Sequence, residues 1–337
     1  MGVKLSPIVP KRAITFEELA HKRIAIDCLQ CLYQFLSSIR QPDGTPLMDS
    51  KGRITSHLMG IWSRFSNLMQ KNLSLAVVFD GIPPKLKMRE AESRIARKGE
   101  AKLRYDSAKD EEDIPAMLRY SKQFIHISQD MIDEAKQLLD AMGLPVIQAP
   151  AEADAQMAYM NRQNDVWACG TTDYDVLLHQ APRMITNLTL SQKRRYASGK
   201  IVAITPELIE LREVLVALDI KQEQLVAIAI MTGTDYNPEG IIGIGPKKAL
   251  KLVKQHPIIT ELKKALTIDF PWEEIEQLFL KMDITKKYQM EWSPMDVDAI
   301  KKILVDKHSF SEERIDNMLK KSEQARPKGQ KSLGEFA

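Results

Sequence analysis

The chain has 337 residues, of which 44% are apolar and 28% are charged. Because this content can bury a large core, we expect a soluble globular protein of one large domain or two ordinary ones and exclude a disordered chain. The formal net charge of +3 is small, so any nucleic-acid function must come from where the charges lie and not from their sum.

Signals for lipid, membrane or disulfide chemistry are weak. The start MGVKLS matches a myristoylation pattern, but so short a pattern arises easily by chance, and no apolar run is long enough to span a bilayer. The odd count of three cysteines favours a reducing intracellular compartment. Cys28 and Cys31 form a CLQC pair; a redox site is one interpretation, and we expect instead two small residues on a buried helix.

Three short β-rich apolar runs end in aspartates. KRIAIDCLQ leads to Asp27, LSLAVVFDG leads to Asp80, and DVWACGTTDYDVL leads to Asp173 and Asp175. Helix-like sequence separates the runs, which predicts an α/β fold with a mainly parallel sheet covered by helices on both faces. Since ligands bind beyond the carboxyl ends of parallel strands, these aspartates are candidate ligands.

A basic stretch follows the second predicted strand. From Lys85 to Arg104 it carries eight Lys or Arg against three Glu, and Lys87 and Arg94 would share one face of a helix. One interpretation is a solvated helix; the other is a set of cations above the strand ends. Further along, LTLSQKRRYASGKIVAI predicts a hairpin whose basic tip, Lys193 to Arg195, is either solvated or a phosphate contact.

The stretch APAEADAQ places Glu152 and Asp154 two positions apart after Pro150. Residues two apart do not face each other on a helix, but both can converge on one point from a first helical turn, and a proline suits the start of one. Acids at a helix start can also merely complement its dipole.

A glycine-rich turn follows Asp235. In GIGPKKAL, a tight turn at Gly243 and Gly245 feeds a helix start, and the backbone N–H groups there can hold a phosphate beside Lys247 and Lys248. This pattern is similar to a helix-hairpin-helix DNA-binding turn. After about residue 320 the sequence becomes polar and loses its periodicity, which predicts a flexible tail.

The candidate acids belong together on chemical grounds. Many carboxylates in one cleft repel one another unless cations neutralise them. Oxygen ligands without His or Cys nearby select Mg²⁺, or Mn²⁺ in its place, over zinc. Two such ions can activate a water and stabilise the leaving oxygen of a phosphodiester.

The ordered set of motifs resembles the flap endonuclease family of 5′ nucleases, of the archaeal and eukaryotic type. The motifs that carry the resemblance are IAIDCLQCLYQFL, TSHLMG, VVFDGIPPKLK, APAEADAQ, TTDYDVL, GTDYN, GIGPKKAL, FSEERI and the tail QKSLGEF. The resemblance implies a PIN-like, mostly parallel sheet, a helical arch and a helix-hairpin-helix (H2TH-type) DNA-binding half. It also implies cleavage of 5′ flaps, and of 5′ ends at nicks and gaps, leaving a 5′-phosphate and a 3′-hydroxyl, with two Mg²⁺ ions per subunit.

The resemblance also implies roles for individual residues. The ligands of one ion would be Asp27, Asp80, Glu152 and Asp154, and those of the second Asp173, Asp175 and Asp235. The residues that reach the scissile phosphate or stack a nearby base would be Lys87, Arg94 and Tyr33; a core tyrosine is the alternative for Tyr33. The DNA contacts would be Gly2 at the chain start, Thr55, Gly243, Gly245, Lys247, Lys248, Phe310 and Arg314, where Thr55, Phe310 and Arg314 form a pocket for one 3′ flap nucleotide.

The tail implies a partner. Gln330, Leu333 and Phe336 resemble a sliding-clamp-binding motif of the PCNA type, although Ala337 stands where a second aromatic is usual, which should weaken binding. Asp154 also replaces the glutamate that is commonest at this place in eukaryotic relatives and is one methylene shorter, so its contact with the ion is either direct or through water. We expect a monomer that acts on branched DNA in lagging-strand maturation and repair, in the cytoplasm and nucleoid if archaeal and in the nucleus if eukaryotic.

Other functions remain as alternatives. A non-catalytic DNA-junction binder would be expected to have lost some of the acids, and a phosphohydrolase of small substrates would not need the basic stretch, the glycine turn or the tail. Within the family, enzymes for bubbles or recombination intermediates commonly carry a long insertion after the arch; the short segment between Lys85 and Asp130 here favours the flap type.

The sequence also predicts how the chain divides into regions. The expected regions are 1–105 with an arch at about 84–125, 106–256 with the second acid cluster and the glycine turn, 257–320 as a helical part of the same core, and the tail 321–337.

Overall fold

The computed structural model describes residues 3–87, 104, 125–189, 193–195 and 201–324. Most of the predicted arch, including Arg94, therefore lies outside the described residues. Gly2 and the tail residues Gln330, Leu333 and Phe336 lie outside them as well. No helix in the described part is long and apolar enough to cross a membrane.

A seven-stranded mixed sheet forms the centre of the protein. Its strands, in spatial order, are β1 (Arg12–Ala13), β9 (Glu207–Glu210), β6 (Arg183–Thr186), β5 (Ala168–Gly170), β2 (Arg23–Asp27), β3 (Ser74–Phe79) and β4 (Val146–Gln148). The pairs from β6 through β4 are parallel, whereas β9 is antiparallel to both β6 and β1. The expected mostly parallel sheet is therefore confirmed.

Helices lie on both sides of this sheet. They are α1 (Phe16–Leu19), α2 (Cys28–Ser38), α3 (Ser56–Gln70), α4 (Gln129–Ala141), α5 (Ala153–Arg162), α6 (Asp175–Leu178), α7 (Leu211–Leu218), α8 (Gln222–Thr232), α9 (Pro246–Gln255), α10 (Ile259–Lys264), α11 (Trp272–Lys281), α12 (Val297–Lys301) and α13 (Glu312–Gln324). A wider π-helical turn, Lys302–Lys307, follows α12. Strands β7 (Lys193–Arg195) and β8 (Ile201–Ala203) pair antiparallel as the expected hairpin, but Lys193 to Arg195 form its first strand and not its tip.

The central strands are apolar along their whole length because both faces are covered. In β2, Ile24 and Ile26 point into a core with α2, α3 and α4, while Ala25 points into a second core with α5 and α8. Cys28 and Cys31 are buried and free, which confirms the prediction of small residues on a buried helix.

Two element boundaries differ from the prediction. The third apolar run forms a strand only as far as Gly170, and Asp175 instead begins α6, where Asp173 Oδ1 accepts a hydrogen bond from its N–H at 3.1 Å. At the other end of the chain, α13 continues four residues past 320, to Gln324. It continues because Ser322 is buried and bonded to Gln70 on α3 at 3.0 Å.

Close backbone contact brings two of the predicted ligand segments together. The N–H of Gly81 donates to the carbonyl of Ala151 at 2.5 Å. A Cβ at Gly81 would lie only 2.3 Å from the carbonyl oxygen of Ala149. Only glycine allows the segment after β3 to approach the segment before α5 so closely, and this contact sets Asp80 beside the start of α5.

A second glycine, Gly60, allows helices α2 and α3 to pack closely against each other. A Cβ added to Gly60 on α3 would lie 2.2 Å from the ring of Phe35 on α2. Phe35 in turn makes an edge contact with Phe65, with 6.3 Å between ring centroids. We therefore expect Gly60→Ala to lower the free energy of unfolding by about 1 to 3 kcal/mol through overpacking, as measured by chemical denaturation.

The control for this prediction is Phe35→Leu, alone and combined with Gly60→Ala. The smaller side chain makes room for the added methyl group, so the double variant should lose less stability than the sum of the two single losses. Strictly additive losses would contradict the proposed contact.

Candidate metal centre

Asp27 and Asp80 stand at the carboxyl ends of neighbouring parallel strands. Asp27 ends β2 and caps α2, since its Oδ1 accepts a hydrogen bond from the Gln30 N–H at 2.9 Å. Asp80 follows β3, and its Oδ1 accepts from the N–H of Ala153, the first residue of α5, at 2.6 Å. The strand ends thus place two carboxylates beside two helix starts.

Glu152 and Asp154 enter the same region from α5. The helix begins at Ala153 and not at Pro150, and both acids lie at its start as expected. Glu152 is buried and accepts two hydrogen bonds, from Lys87 Nζ at 2.6 Å and from the Tyr236 hydroxyl at 2.8 Å. These bonds show that Glu152 does more than complement the helix dipole.

Asp173 and Asp175 come from the loop after β5. The carbonyl oxygen of the Gln30 side chain accepts from the Thr172 N–H at 2.8 Å, which ties this loop to α2. Asp175 Oδ1 accepts from the N–H of Val3 at 3.3 Å. The chain start therefore packs beside the acids, as expected, although Gly2 itself lies outside the described residues.

Asp235 completes the set from the turn after α8. Lys87 Nζ lies 3.3 Å from Asp235 Oδ2 while it also contacts Glu152, so one ammonium group joins acids from two parts of the chain. Burial alone would lower the pKa of Lys87, but the charges of Glu152 and Asp235 outweigh burial and raise this pKa. Lys87 therefore stays positively charged.

The buried carboxylates raise one another's pKa. Removal from water is the main cause at Asp27, whose pKa is raised to about 8, and the charge of Asp80 adds to it. Burial and the charge of Asp173 hold the pKa values of Asp154 and Asp175 well above their usual range. A bound cation would relieve this repulsion.

The residues present suit divalent cations. One carboxylate oxygen from each of Asp154, Asp173 and Asp175 lies within 4.8 Å of the other two. Asp154 Oδ1 is buried and has no hydrogen-bond partner in the part of the chain that the structure describes. A buried, unpaired carboxylate oxygen is costly unless a cation coordinates it, and a set of oxygen donors matches Mg²⁺ or Mn²⁺ better than zinc.

The position of Asp154 bears on how the ligands divide between ions. The resemblance to the family groups Asp154 with Asp27, Asp80 and Glu152. In the structure, however, the Asp154 carboxylate lies beside those of Asp173 and Asp175. Asp154 therefore stands between the two predicted sets, and the division of the seven acids between two ions stays a prediction.

Tyr33 and Lys87 are the two predicted phosphate and base contacts that the structure describes. Tyr33 lies on α2, and 42% of its surface is exposed. It is therefore not the core tyrosine of the alternative interpretation, while its stacking on a base stays a prediction. Arg94 lies outside the described residues.

The glycine turn lies between α8 and α9. Gly243 adopts a left-handed conformation, with φ of 78°, and Pro246 follows Gly245 at the first position of α9. Lys247 and Lys248 are exposed there. Together these features match the helix-hairpin-helix pattern that the sequence predicts, since the first N–H groups of any helix have no partner within the helix itself.

The predicted 3′ nucleotide pocket joins the start of α3 to the segment after the π-helical turn. Thr55 is buried, Phe310 is half-buried and Arg314 is exposed. The segments that carry them meet where the Ser50 and Ser309 hydroxyls lie 2.9 Å apart. The three side chains therefore come from adjoining segments, while their role in binding stays a prediction.

Sequence reasoning missed a buried polar network of histidines and carboxylates in this region. Glu134 on α4 lies 3.4 Å from His57 Nε2 and 3.0 Å from His308 Nε2, and His308 Nδ1 lies 3.2 Å from Asp49 Oδ2. The residues are far apart in sequence, so no local pattern marks them. Sequence reasoning also missed Tyr236, although its place next to Asp235 in GTDYN was a signal.

Comparison with known proteins identifies the family. The XPG N-terminal domain model matches residues 1–101, and the XPG I-region model matches residues 143–235. Flap endonuclease 1 of Hyperthermus butylicus is 46% identical over 332 residues, which cover 96% of this chain and 95% of that protein. Flap endonuclease 1 of Pyrococcus horikoshii is 44% identical and is matched over 98% of this chain and 97% of its own length.

Comparison with solved structures gives the same family. Flap endonuclease-1 from Methanococcus jannaschii is similar with a TM-score of 0.77 and 38% identity, over 96% of this chain and 98% of that one. The catalytic core of Rad2 in complex with DNA substrate shares the fold, with a TM-score of 0.70 and 21% identity over 94% of this chain and 97% of that one. With such identity over nearly its whole length, the chain belongs to the flap endonuclease family.

Proposed function

We propose that the seven carboxylates bind two Mg²⁺ ions, for which Mn²⁺ can substitute, and that the protein thereby cuts 5′ flaps and 5′ ends at nicks and gaps. As a member of its family it is a structure-specific nuclease that hydrolyses DNA phosphodiester bonds. The observation that carries the metal proposal is the cluster of Asp154, Asp173 and Asp175 with its unpaired buried oxygen.

Bound divalent ions would supply an activated water and would neutralise charge on the scissile phosphate. The chain's own residues would hold the metal-binding carboxylates in fixed positions. Asp27 and Asp80 are held by the backbone N–H groups at the starts of α2 and α5, so their carboxylates are fixed before any ligand arrives. Fixed ligands need no reorganisation during the reaction.

Lys87 and Tyr33 would act on the DNA. Lys87 stays protonated at the edge of the acid cluster, and a cation there stabilises the negative charge that develops on a phosphate in the transition state. The exposed ring of Tyr33 provides a surface on which a base near the cut can stack. In this proposal Arg94 assists Lys87.

The glycine turn would hold the DNA backbone on the other side of the cut. Lys247 and Lys248 are exposed beside the start of α9. Cations and N–H groups at a helix start bind phosphate without reading base sequence. Such binding suits an enzyme that recognises branched structure, and Thr55, Phe310 and Arg314 would add a pocket for one 3′ flap nucleotide.

The biological role follows from these activities. We infer a monomer that acts in lagging-strand maturation and DNA repair and that docks on a sliding clamp through Gln330, Leu333 and Phe336. The curated relatives reported above come from archaeal species, which favours the archaeal alternative and thus the cytoplasm and nucleoid. A non-catalytic junction binder is disfavoured because all seven acids are present and converge.

Cleavage of an end-labelled double-flap DNA tests the activity. With Mg²⁺, the unaltered protein should cut at the flap base, and Asp173→Ala should reduce the rate more than about 100-fold, because loss of a direct metal ligand exceeds the usual effect of a residue behind one. DNA binding by the variant, measured by anisotropy, should persist. Tight junction binding without any cleavage by the unaltered protein would leave only a scaffold function.

Stability as a function of pH tests the acid cluster without any DNA. The pKa of Asp27 rises from 3.8 to about 8 on folding, so between these pH values the folded protein holds a proton that the unfolded chain has released. In EDTA, the free energy of unfolding should therefore fall as pH rises from about 4 to about 8, and Mg²⁺ should restore stability at pH 8.

Asp27→Asn should raise the metal-free melting temperature at pH 8 and reduce the rise that Mg²⁺ causes. It keeps an oxygen that can accept the capping bond at the start of α2. The matched control is Asp296→Asn, because Asp296 caps α12 with a bond of the same 2.9 Å length outside the acid cluster. Equal responses of the two variants to pH and Mg²⁺ would count against a metal centre at Asp27.

Removal of residues 325–337 tests the proposed role of the tail. Because the seven acids all lie before this segment, the shortened protein should cut flap DNA at the normal rate, while its binding to a sliding clamp should be lost. Phe336→Ala in the full chain should weaken clamp binding, and Glu335→Ala should not. Unchanged clamp affinity after the truncation would place the docking surface elsewhere.

A further inference from the structure

Tyr236 makes a buried hydrogen bond to one of the candidate metal ligands. Its hydroxyl donates to Glu152 Oε2 at 2.8 Å, and only 7% of the tyrosine surface is exposed. The two residues are 84 positions apart in the chain. Tyr236 belongs to the turn after α8, whereas Glu152 stands at the start of α5, so the bond joins two separate parts of the acid cluster.

The ring of Tyr236 is itself held in place. Thr234 Oγ1 accepts a hydrogen bond from the Tyr236 N–H at 3.1 Å and donates to Asn237 Oδ1 at 2.6 Å, which closes a tight turn around the tyrosine. The ring makes an edge contact with Phe279 on α11, with 5.4 Å between centroids. A side chain fixed at both ends can fix its partner.

Glu152 has one donor on each carboxylate oxygen. Lys87 Nζ donates to Oε1 at 2.6 Å and Tyr236 donates to Oε2 at 2.8 Å. The lysine is a long, flexible cation that the proposed mechanism uses on the DNA. The tyrosine is neutral and rigid, so it can remain on Glu152 whatever Lys87 does.

The tyrosine hydroxyl also stays a donor. Because a carboxylate oxygen accepts hydrogen bonds, the phenol hydroxyl is the donor in this pair. A hydrogen bond of this kind holds the carboxylate in one orientation.

We propose that Tyr236 is a positioning residue for the reaction, which fixes the carboxylate of Glu152 for a divalent ion through its hydroxyl. Asp235, the neighbouring residue, is itself a predicted ligand. A single turn between α8 and α9 thus provides one ligand and orients another, and it connects the glycine turn that would grip DNA to the acids on the sheet. This inference rests on the proposed function.

Tyr236→Phe removes only the hydroxyl and keeps the ring contact with Phe279. The matched control is Tyr288→Phe, because the Tyr288 hydroxyl also donates to a carboxylate, that of Asp165, outside the acid cluster. Both variants and the unaltered protein would be compared in cleavage of double-flap DNA over a range of Mg²⁺ concentrations. Their Mn²⁺ affinity would be measured separately by calorimetry without DNA.

For Tyr236→Phe we expect kcat to fall about 10- to 100-fold and the Mg²⁺ or Mn²⁺ concentration at half-saturation to rise by several-fold, in the range typical of residues that orient a metal ligand. KM for the DNA and the melting temperature in EDTA should stay close to those of the unaltered protein. Tyr288→Phe should change neither the metal dependence nor kcat.

Two results would overturn the inference. One is a Tyr236→Phe variant with unchanged kcat and unchanged metal affinity. The other is a variant whose melting temperature in EDTA falls by much more than that of Tyr288→Phe, which would make Tyr236 a purely structural residue. Failure of the unaltered protein to cut flap DNA would overturn the proposed function instead, and the Mn²⁺ affinities would still test the positioning of Glu152.

Discussion

The mutual repulsion of buried carboxylates is the constraint on which the rest of this structure depends. Asp27, Asp154 and Asp175 are removed from water together, and burial and neighbouring charge raise their pKa values. A fold that gathers such groups loses stability unless a cation is bound. We therefore propose that the acids, the lysine that joins Glu152 to Asp235 and the tyrosine that holds the same Glu152 act as one ion-binding assembly.

The sheet makes that assembly possible. Parallel strands end at one edge, so Asp27 and Asp80 follow β2 and β3 to the same place, and the glycine after Asp80 lets α5 begin beside them. Strand β9, which is antiparallel to its neighbours, and strand β1 lie at the side of the sheet away from β2 and β3. The parallel strands that carry Asp27 and Asp80 are therefore direct neighbours. The helical half supplies Asp235 from a turn, so DNA held by the glycine turn would be connected to the acids through only a few residues.

Much of this organisation could be predicted from the sequence because it follows local patterns. The apolar runs predicted β2 and β3, and the aspartates after them predicted the edge at which the acids meet. The contacts that decide geometry could not be predicted, because they join distant segments: the bond from Tyr236 to Glu152, the network of His57, Glu134 and His308, and the approach of Asp154 to Asp173 and Asp175. The boundary between β5 and α6 could not be predicted either, because the strand and the short helix lie within one apolar run.

All of the proposed chemistry depends on the binding of divalent metal ions by the seven carboxylates at one site. This binding is tested most directly by anomalous diffraction from crystals of the full chain grown with Mn²⁺. We expect two peaks within coordination distance of these carboxylates, with Asp154 facing at least one of them. Ordered carboxylates without any peak at saturating Mn²⁺, or peaks bound only elsewhere on the chain, would contradict it.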